Sequence, residues 1–238
     1  MNLSTIQNID NYRISELDLK PQKIESVKYK NNYVKLYFDF IFEENKLYTL
    51  NIDNVTNCKD IPPEDEILVQ FGIPSSANRN DVIINEILFN PINPGVDYLE
   101  LYNRSDKVID LKELTFGTIK ISFPNPADTT LKDIINESRY LLPHSYTLLS
   151  TDSEIVKYQY DIKDKDDNNF IEVISFPSLP NTEGRVVICD KTSKIIDEMY
   201  YSEKMHYELL TVTQGVSLER KDWGEPYARK AEPHAWLV

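Results

Sequence analysis

Two glutamates stand where chemistry could be done, because each interrupts an otherwise apolar run: Glu86 within residues 81–89 and Glu100 within residues 97–103. If those runs are paired strands, the two carboxylates can face one another. A pair at glycosidase separation, with one pKa raised, would serve as general acid and its partner. A strand glutamate more often points to solvent or bonds to backbone, and no substrate-stacking motif accompanies this pair, so the sequence favours a structural role for both. The second oxygen-rich group lies in residues 161–169, where Asp164, Asp166, Asp167 and Asn168 supply closely spaced hard ligands of the kind calcium takes. That segment lacks the glycine and the distant glutamate of a calcium loop, and Lys163 and Lys165 partly neutralise it. A solvated loop is the favoured reading, and calcium is the one cofactor in prospect. Nucleophilic chemistry has little to work with. His144, His206 and His234 have no partners at ligand spacing, and Cys58, Cys189 and the serines sit in no nucleophile context such as Gly-x-Ser-x-Gly. No two of the six glycines fall at phosphate-cradling spacing. The sequence therefore predicts no catalytic residue and no enzyme.

The elements that must position Glu86 and Glu100 are short strands. Residues 81–89 are β-branched and apolar enough for burial on both faces, and Asn90-Pro91 ends the run with a residue that cannot donate to a ladder. After a turn through Asn93-Pro94-Gly95, residues 97–103 alternate, with Leu99 and Leu101 on one side and Tyr98, Glu100 and Tyr102 on a wet one. Residues 107–111 are expected to pair back. Thr151 and Glu154 have capping-box spacing, which predicts one or two helical turns over residues 155–160. Phe123-Pro124-Asn125-Pro126-Ala127-Asp128 reads as a loop across one end of the sandwich. In the first eighty residues, Tyr12-Arg13-Ile14, residues 23–29, 33–38 and 48–52, and residues 67–71 read as five more short strands.

The motifs Ile84-Asn85-Glu86-Ile87, Leu88-Phe89-Asn90-Pro91, Tyr98-Leu99-Glu100-Leu101-Tyr102-Asn103-Arg104-Ser105 and Ile109-Asp110-Leu111 resemble the start of a bacterial lamin-tail domain, an immunoglobulin-like sandwich. The series continues in order through Leu142-Pro143, residues 146–152 and 176–181, Glu183-Gly184-Arg185-Val186-Val187-Ile188, Ile195-Ile196-Asp197 and Gly215-Val216-Ser217-Leu218-Glu219-Arg220. As motif residues with structural roles the resemblance marks Asn85, Glu86, Asn90, Pro91, Glu100, Asn103, Ser105, Asp110, Gly184, Ser217, Glu219 and Arg220. Residues 48–58 resemble the late strand and turn of bacterial immunoglobulin-like surface repeats, whose earlier strands are missing here. The expected fold class is all-β, two immunoglobulin-like β-sandwiches in series with the first incomplete. Residues 1–78 form that partial sandwich, 79–222 the lamin-tail domain and 223–238 a divergent tail, all within a larger multidomain protein. The resemblance implies a secreted or surface-attached module that binds, adheres or spaces, with an unknown protein or polysaccharide of the cell envelope as partner. The alternative is an accessory domain of a hydrolase or nuclease whose catalytic domain lies outside this chain. Adaptable contacts belong on the loops at residues 90–97 and 161–169.

Composition narrows the partners. Fifteen Tyr, thirteen Pro and only six Gly in 238 residues suit strands and turns. The net charge of −13 lies mostly after residue 80, where twenty-seven Asp or Glu stand against seventeen Lys or Arg. With no basic run to neutralise phosphates, nucleic-acid binding is disfavoured, as is an anionic membrane. No segment is long and apolar enough for membrane insertion, and the first residues do not read as a signal peptide. Cys58 and Cys189 fall in different expected domains and read as two buried or half-buried free thiols.

Overall fold

The computed structural model describes residues 2–27, 33–120, 128–162 and 169–221. Among the described residues strands dominate and helix is confined to short segments, an all-β architecture. Its contacts divide it into two compact units, Met1–Pro74 and Ser75–Val238. The division precedes the expected boundary at 78/79. Ser75 N donates to Val108 O at 2.9 Å and Lys107 Nζ reaches Ser76 O at 3.2 Å, which ties that segment to the second unit.

In the first unit, helix α1 (Leu3–Ile6) leads to β1 (Tyr12–Ile14), β2 (Lys23–Ser26), β3 (Val34–Tyr37), β4 (Tyr48–Ile52) and β5 (Ile67–Phe71). Each of the expected strands forms. β4 lies between β1 and β5, while β2 and β3 pair separately. Alternation explains the packing: Val34 and Leu36 on β3, Ile24 on β2 and Leu50 and Ile52 on β4 close around buried Ile6, Tyr12 and Val55. Tyr12 donates its hydroxyl to Ile6 O at 2.8 Å, so the ring is buried without stranding its polar end.

The second unit comprises β6 (Val82–Leu88), β7 (Tyr98–Asn103), β8 (Ile109–Asp110), β9 (Leu114–Lys120), β10 (Asp128–Asp133), β11 (Tyr140–Leu141), β12 (Tyr146–Ser150), helix α2 (Ser153–Gln159), β13 (Phe170–Glu172), β14 (Glu183–Asp190), β15 (Ile195–Ser202) and β16 (Leu218–Glu219). One sheet runs β13-β12-β7-β6-β16 and the other β10-β9-β14-β15. Side chains from both meet in a single core that includes Ile84, Ile87, Leu99 and Leu101 from the first and Phe116, Val186, Ile188 and Met199 from the second. The sheets are also joined by a buried ion pair. Arg220 Nη2 lies 2.6 Å from Asp197 Oδ2, and the same carboxylate oxygen accepts from Ile84 N at 2.8 Å. Burial pushes the Asp197 carboxyl up, and Arg220 and that backbone donor hold it down.

Three expectations need correction. Residues 107–111 do not pair back on β7, because β8 joins β11 instead, Ile109 opposite Leu141. Asp152, not Thr151, caps α2: its side chain accepts from Ile155 N at 2.9 Å. The face of β7 carrying Tyr98 and Tyr102 is not wet. Tyr98 packs with Leu88, Leu148 and Val156 of α2, and Tyr102 stacks on Tyr146 with centroids 4.5 Å apart. Neither cysteine is in a disulfide; Cys189 is buried as expected, whereas Cys58 is exposed.

Candidate functional site

A bulge in β6 sets the position of the two glutamates. Ile84 pairs with Leu101 and Glu86 with Glu100, which leaves Asn85 as the extra residue. Strict alternation from Ile84 would turn Glu86 into the core and Ile87 out of it. The bulge reverses both, so Ile87 is fully buried in the core and Glu86 emerges on the outer face. Burying an isoleucine side chain is worth roughly 2–3 kcal/mol and an unpaired buried carboxylate costs more than that, so the register is strongly specified. Glu86 also lies opposite Glu219 of β16. The outer face thus carries a row of three carboxylates on adjacent strands, Glu219, Glu86 and Glu100, continued by Leu148 and Phe170 on β12 and β13.

Each of the two central carboxylates has a defined neighbour. Tyr98 donates its hydroxyl to Glu86 Oε1 at 2.5 Å, and Asn85 Nδ2 donates to Glu100 Oε1 at 2.8 Å. Burial, with the charges of Glu86 and Glu219 behind it, pushes the Glu100 carboxyl up to about 7 against the lowering effect of Asn85. Glu100 is therefore poised between its protonated and ionised forms near neutrality. Burial likewise raises the Tyr98 hydroxyl, with Glu86 adding to it, and pushes Tyr160 up to about 12. These tyrosines stay neutral at any physiological pH.

Above the row lies a cleft of about 720 Å³. The sheet supplies Glu86, Tyr98, Glu100, Tyr146, Leu148 and Phe170, and the facing side is built by Val156, Tyr160 and Ile162. Local chemistry fixes that facing side. The Asp152 cap starts α2, Ser153 donates from both N and Oγ to Glu172 Oε1, and Val156 is buried against the sheet. At the other end Gln159 donates to Ile92 O at 2.8 Å and Tyr160 to Gly215 O at 2.9 Å. Phe170 carries a cation on its ring, Lys157 Nζ at 4.6 Å from the centroid.

No protein-family model matches the chain, and no curated protein does. What it does must be read from the cleft.

The motif residues separate into two groups. Asn85, Glu86, Glu100 and Glu219 gather at the cleft, and Ser217 supports it through a hydrogen bond with the Tyr98 hydroxyl. The others hold turns and contacts between strands. Asn103 is wholly buried, donating to Lys107 O, Leu141 O and Leu142 O and accepting from Ser105 N and Oγ. Asp110 accepts from Lys112 N and Arg139 N. Asn90 accepts from Asn181 Nδ2 and its carbonyl from Gly215 N, while Pro91 O accepts from Gln214 Nε2. A Cβ at Gly184 would stand 2.5 Å from the Tyr201 hydroxyl, so only glycine fits beneath that ring. Arg220 makes the ion pair with Asp197.

The acidic loop residues Asp164, Asp166, Asp167 and Asn168 lie outside the described residues, as do His234 and the segment 223–238. Among the described residues no group of three or more His, Cys, Asp or Glu is placed to hold a metal ion. His206 is spent on backbone, bonding Glu203 O and Val216 O, and His144 sits at a positive-φ turn 2.9 Å from Asp106. Burial pushes the Cys189 thiol up to about 11, the wrong direction for a nucleophile. Sequence reasoning missed the aromatic lining. Tyr98, Tyr146, Tyr160 and Phe170 lie on three separate strands and the end of a helix, and the one available signal was tyrosine recurring on the glutamate face of residues 97–103.

Proposed function

We propose that this chain is a non-catalytic recognition module whose contact face is the cleft over the five-stranded sheet. In this reading the second unit is an immunoglobulin-like sandwich of the lamin-tail type and the first is part of a bacterial immunoglobulin-like surface repeat. Together they bind, adhere or space within a larger secreted or surface-attached protein, with an envelope protein or polysaccharide as partner. The observation that carries the proposal is the cleft itself: about 720 Å³, bounded by aromatic rings, with a few polar groups converging on one row. The residues that hold it open, Asp152, Gln159 and Tyr160, bond to structure rather than to one another, as a pre-formed site requires.

The test is retention of the full chain on immobilised envelope proteins and on envelope polysaccharides, with Tyr146→Leu and Glu100→Gln run beside the wild type. Saturable retention that both variants lose while each still unfolds in a single cooperative transition is the expected result. Retention unchanged in both would remove the cleft as the contact face.

One observation favours a second reading, acid–base hydrolysis: Glu100, held near 7, stands beside Glu86. Its weakness is geometric. Neighbours on adjacent strands have Cβ atoms about 5 Å apart and approach a ligand from one side, whereas hydrolytic carboxylates flank the bond they break. Turnover of glycoside substrates that disappears in Glu100→Gln would establish hydrolysis, and its absence from the wild type would end that reading.

A further inference from the structure

We propose that the open edge of β5 takes an extended peptide strand from a protein partner, one with apolar side chains at alternate positions and basic residues at both ends. This contact lies in the first unit, whereas every cleft residue lies in the second.

β5 pairs on one side only, with β4, in an unshifted antiparallel register. The backbone groups it leaves over follow from β4. Thr49 N and Asp53 N both turn away from β5, to Glu16 Oε2 and to Asn11 O, each at 2.9 Å. Bonding alternates along an antiparallel strand, so Leu50 and Ile52 turn the other way and bond Val69 and Ile67. Leu68 and Gln70 therefore present their N–H and C=O groups outward, with no strand beside them among the described residues.

The side chains leave the strand equally open. Val69 lies opposite Leu50 and shares its inward face, yet the cluster closed by β2, β3 and β4 stops at β4, and Val69 is 43% exposed. Leu68, on the other face, is 53% exposed. Soluble proteins shield such edges with a lysine, a proline, a bulge or a covering segment. Between Ile67 and Phe71 there is no charge, no proline and no bulge. An edge of this kind offers a partner strand main-chain hydrogen bonds and apolar contact on both faces.

Charge specifies the occupant. Glu64, Asp65 and Glu66 lead into β5, and past its far end Ile73 is bridged to Glu44, next to Glu43. Glu44, Glu64 and Asp65 are exposed and belong to no ion pair among the described residues. A strand carrying Lys or Arg at both ends meets opposite charge at each, and an acidic strand meets repulsion. A second copy of β5 is disfavoured on the same ground. Parallel pairing sets residues 64–66 of one copy on those of the other, and antiparallel pairing sets them against Glu43 and Glu44.

The experiment is titration of the full chain, at low and at physiological salt, with two fluorescently labelled peptides that share an alternating valine–threonine core. One ends in lysine pairs and the other in glutamate pairs, and binding is followed by anisotropy and by amide hydrogen exchange. The expected result is saturable binding of the lysine-ended peptide, weakened by added salt and about tenfold tighter than that of the glutamate-ended one. Exchange at Leu68 and Gln70 is expected to slow in that complex. Leu68→Pro deletes one outward N–H and leaves the β4 ladder its bonds, so it is expected to unfold cooperatively and to lose the peptide. The double variant Glu64→Gln, Asp65→Asn leaves the strand untouched and is expected to weaken the lysine-ended peptide several-fold, a test that holds even where the proline variant does not fold. Equal affinity for the two peptides, undiminished binding in the double variant, protection of β7 and β12 in place of β5, or no saturable binding would overturn the proposal. Concentration-dependent dimerisation that Leu68→Pro abolishes would give the edge to a second copy and overturn it as well.

Discussion

Glu100 concentrates the account at the scale of single residues. Its carboxyl is held at about 7 in the folded chain, above its ordinary range, so the folded state binds that proton more tightly than the unfolded state does. The stability linked to it is fully present below the ordinary carboxylate range and is lost as pH rises through about 7. The loss amounts to about 3 kcal/mol when complete. Glu100→Gln, which cannot ionise, is therefore expected to gain stability over the wild type as pH is raised from 5 to 8. Melting curves of the two proteins across that interval check this, and parallel pH dependences would refute it. Asp197, also raised by burial, is a carboxylate whose loss costs stability. Removing it in Asp197→Ala leaves Arg220 buried without its counter-charge and Ile84 N without its acceptor, a loss expected at about 3–5 kcal/mol in urea unfolding. The sequence made Glu86 and Glu100 visible as polar interruptions of apolar runs, and it showed that they could face each other. It did not show the Asp197–Arg220 pair, because an ion pair closed by tertiary packing leaves no local pattern.

At the scale of elements, the cleft depends on a bulge and a short helix. The Asp152 cap holds the first turn of α2, and the helix is too short to persist without it. Asp152→Ala is expected to cost about 1 kcal/mol and to raise amide hydrogen exchange through residues 153–159 well above that of β7. Equal exchange in variant and wild type would show that packing of Val156 alone holds the helix. Thr151 has the capping-box spacing, but Glu172 takes both Ser153 donors and Glu154 is paired with Lys157, so the cap moves to Asp152. Strand identity was legible wherever alternation or an apolar run was long enough, as in β6 and β7. Pairing was less so. The join of β8 to β11 and the parallel join of β12 to β13 connect segments that share no turn, and turn chemistry is what sequence reports best. The bulge at Asn85 was written only as two polar residues in an apolar run, a pattern that also fits a strand buried on both faces.

At the scale of the whole molecule, the all-β class was readable from β-branched and aromatic residues spaced by turn formers, and two units were readable from the run of short strands in each part. The site was half readable. Its carboxylates announce themselves, whereas its rings come from β7, β12, β13 and the residue after α2, and look like ordinary core tyrosines until the chain is folded. Every cleft residue belongs to the second unit, which also carries most of the −13 net charge. Negative charge of that size favours approach of cationic partners and discourages anionic ones. The central claim is that partners are held at the cleft, and hydrogen exchange of the full chain while it is held on the envelope fraction that retains it tests this most directly. The expected result is slowed exchange at amides of β7, β12 and residues 160–162, with the four-stranded sheet unchanged. Protection confined to other surfaces, with those amides exchanging as in the free protein, would contradict it.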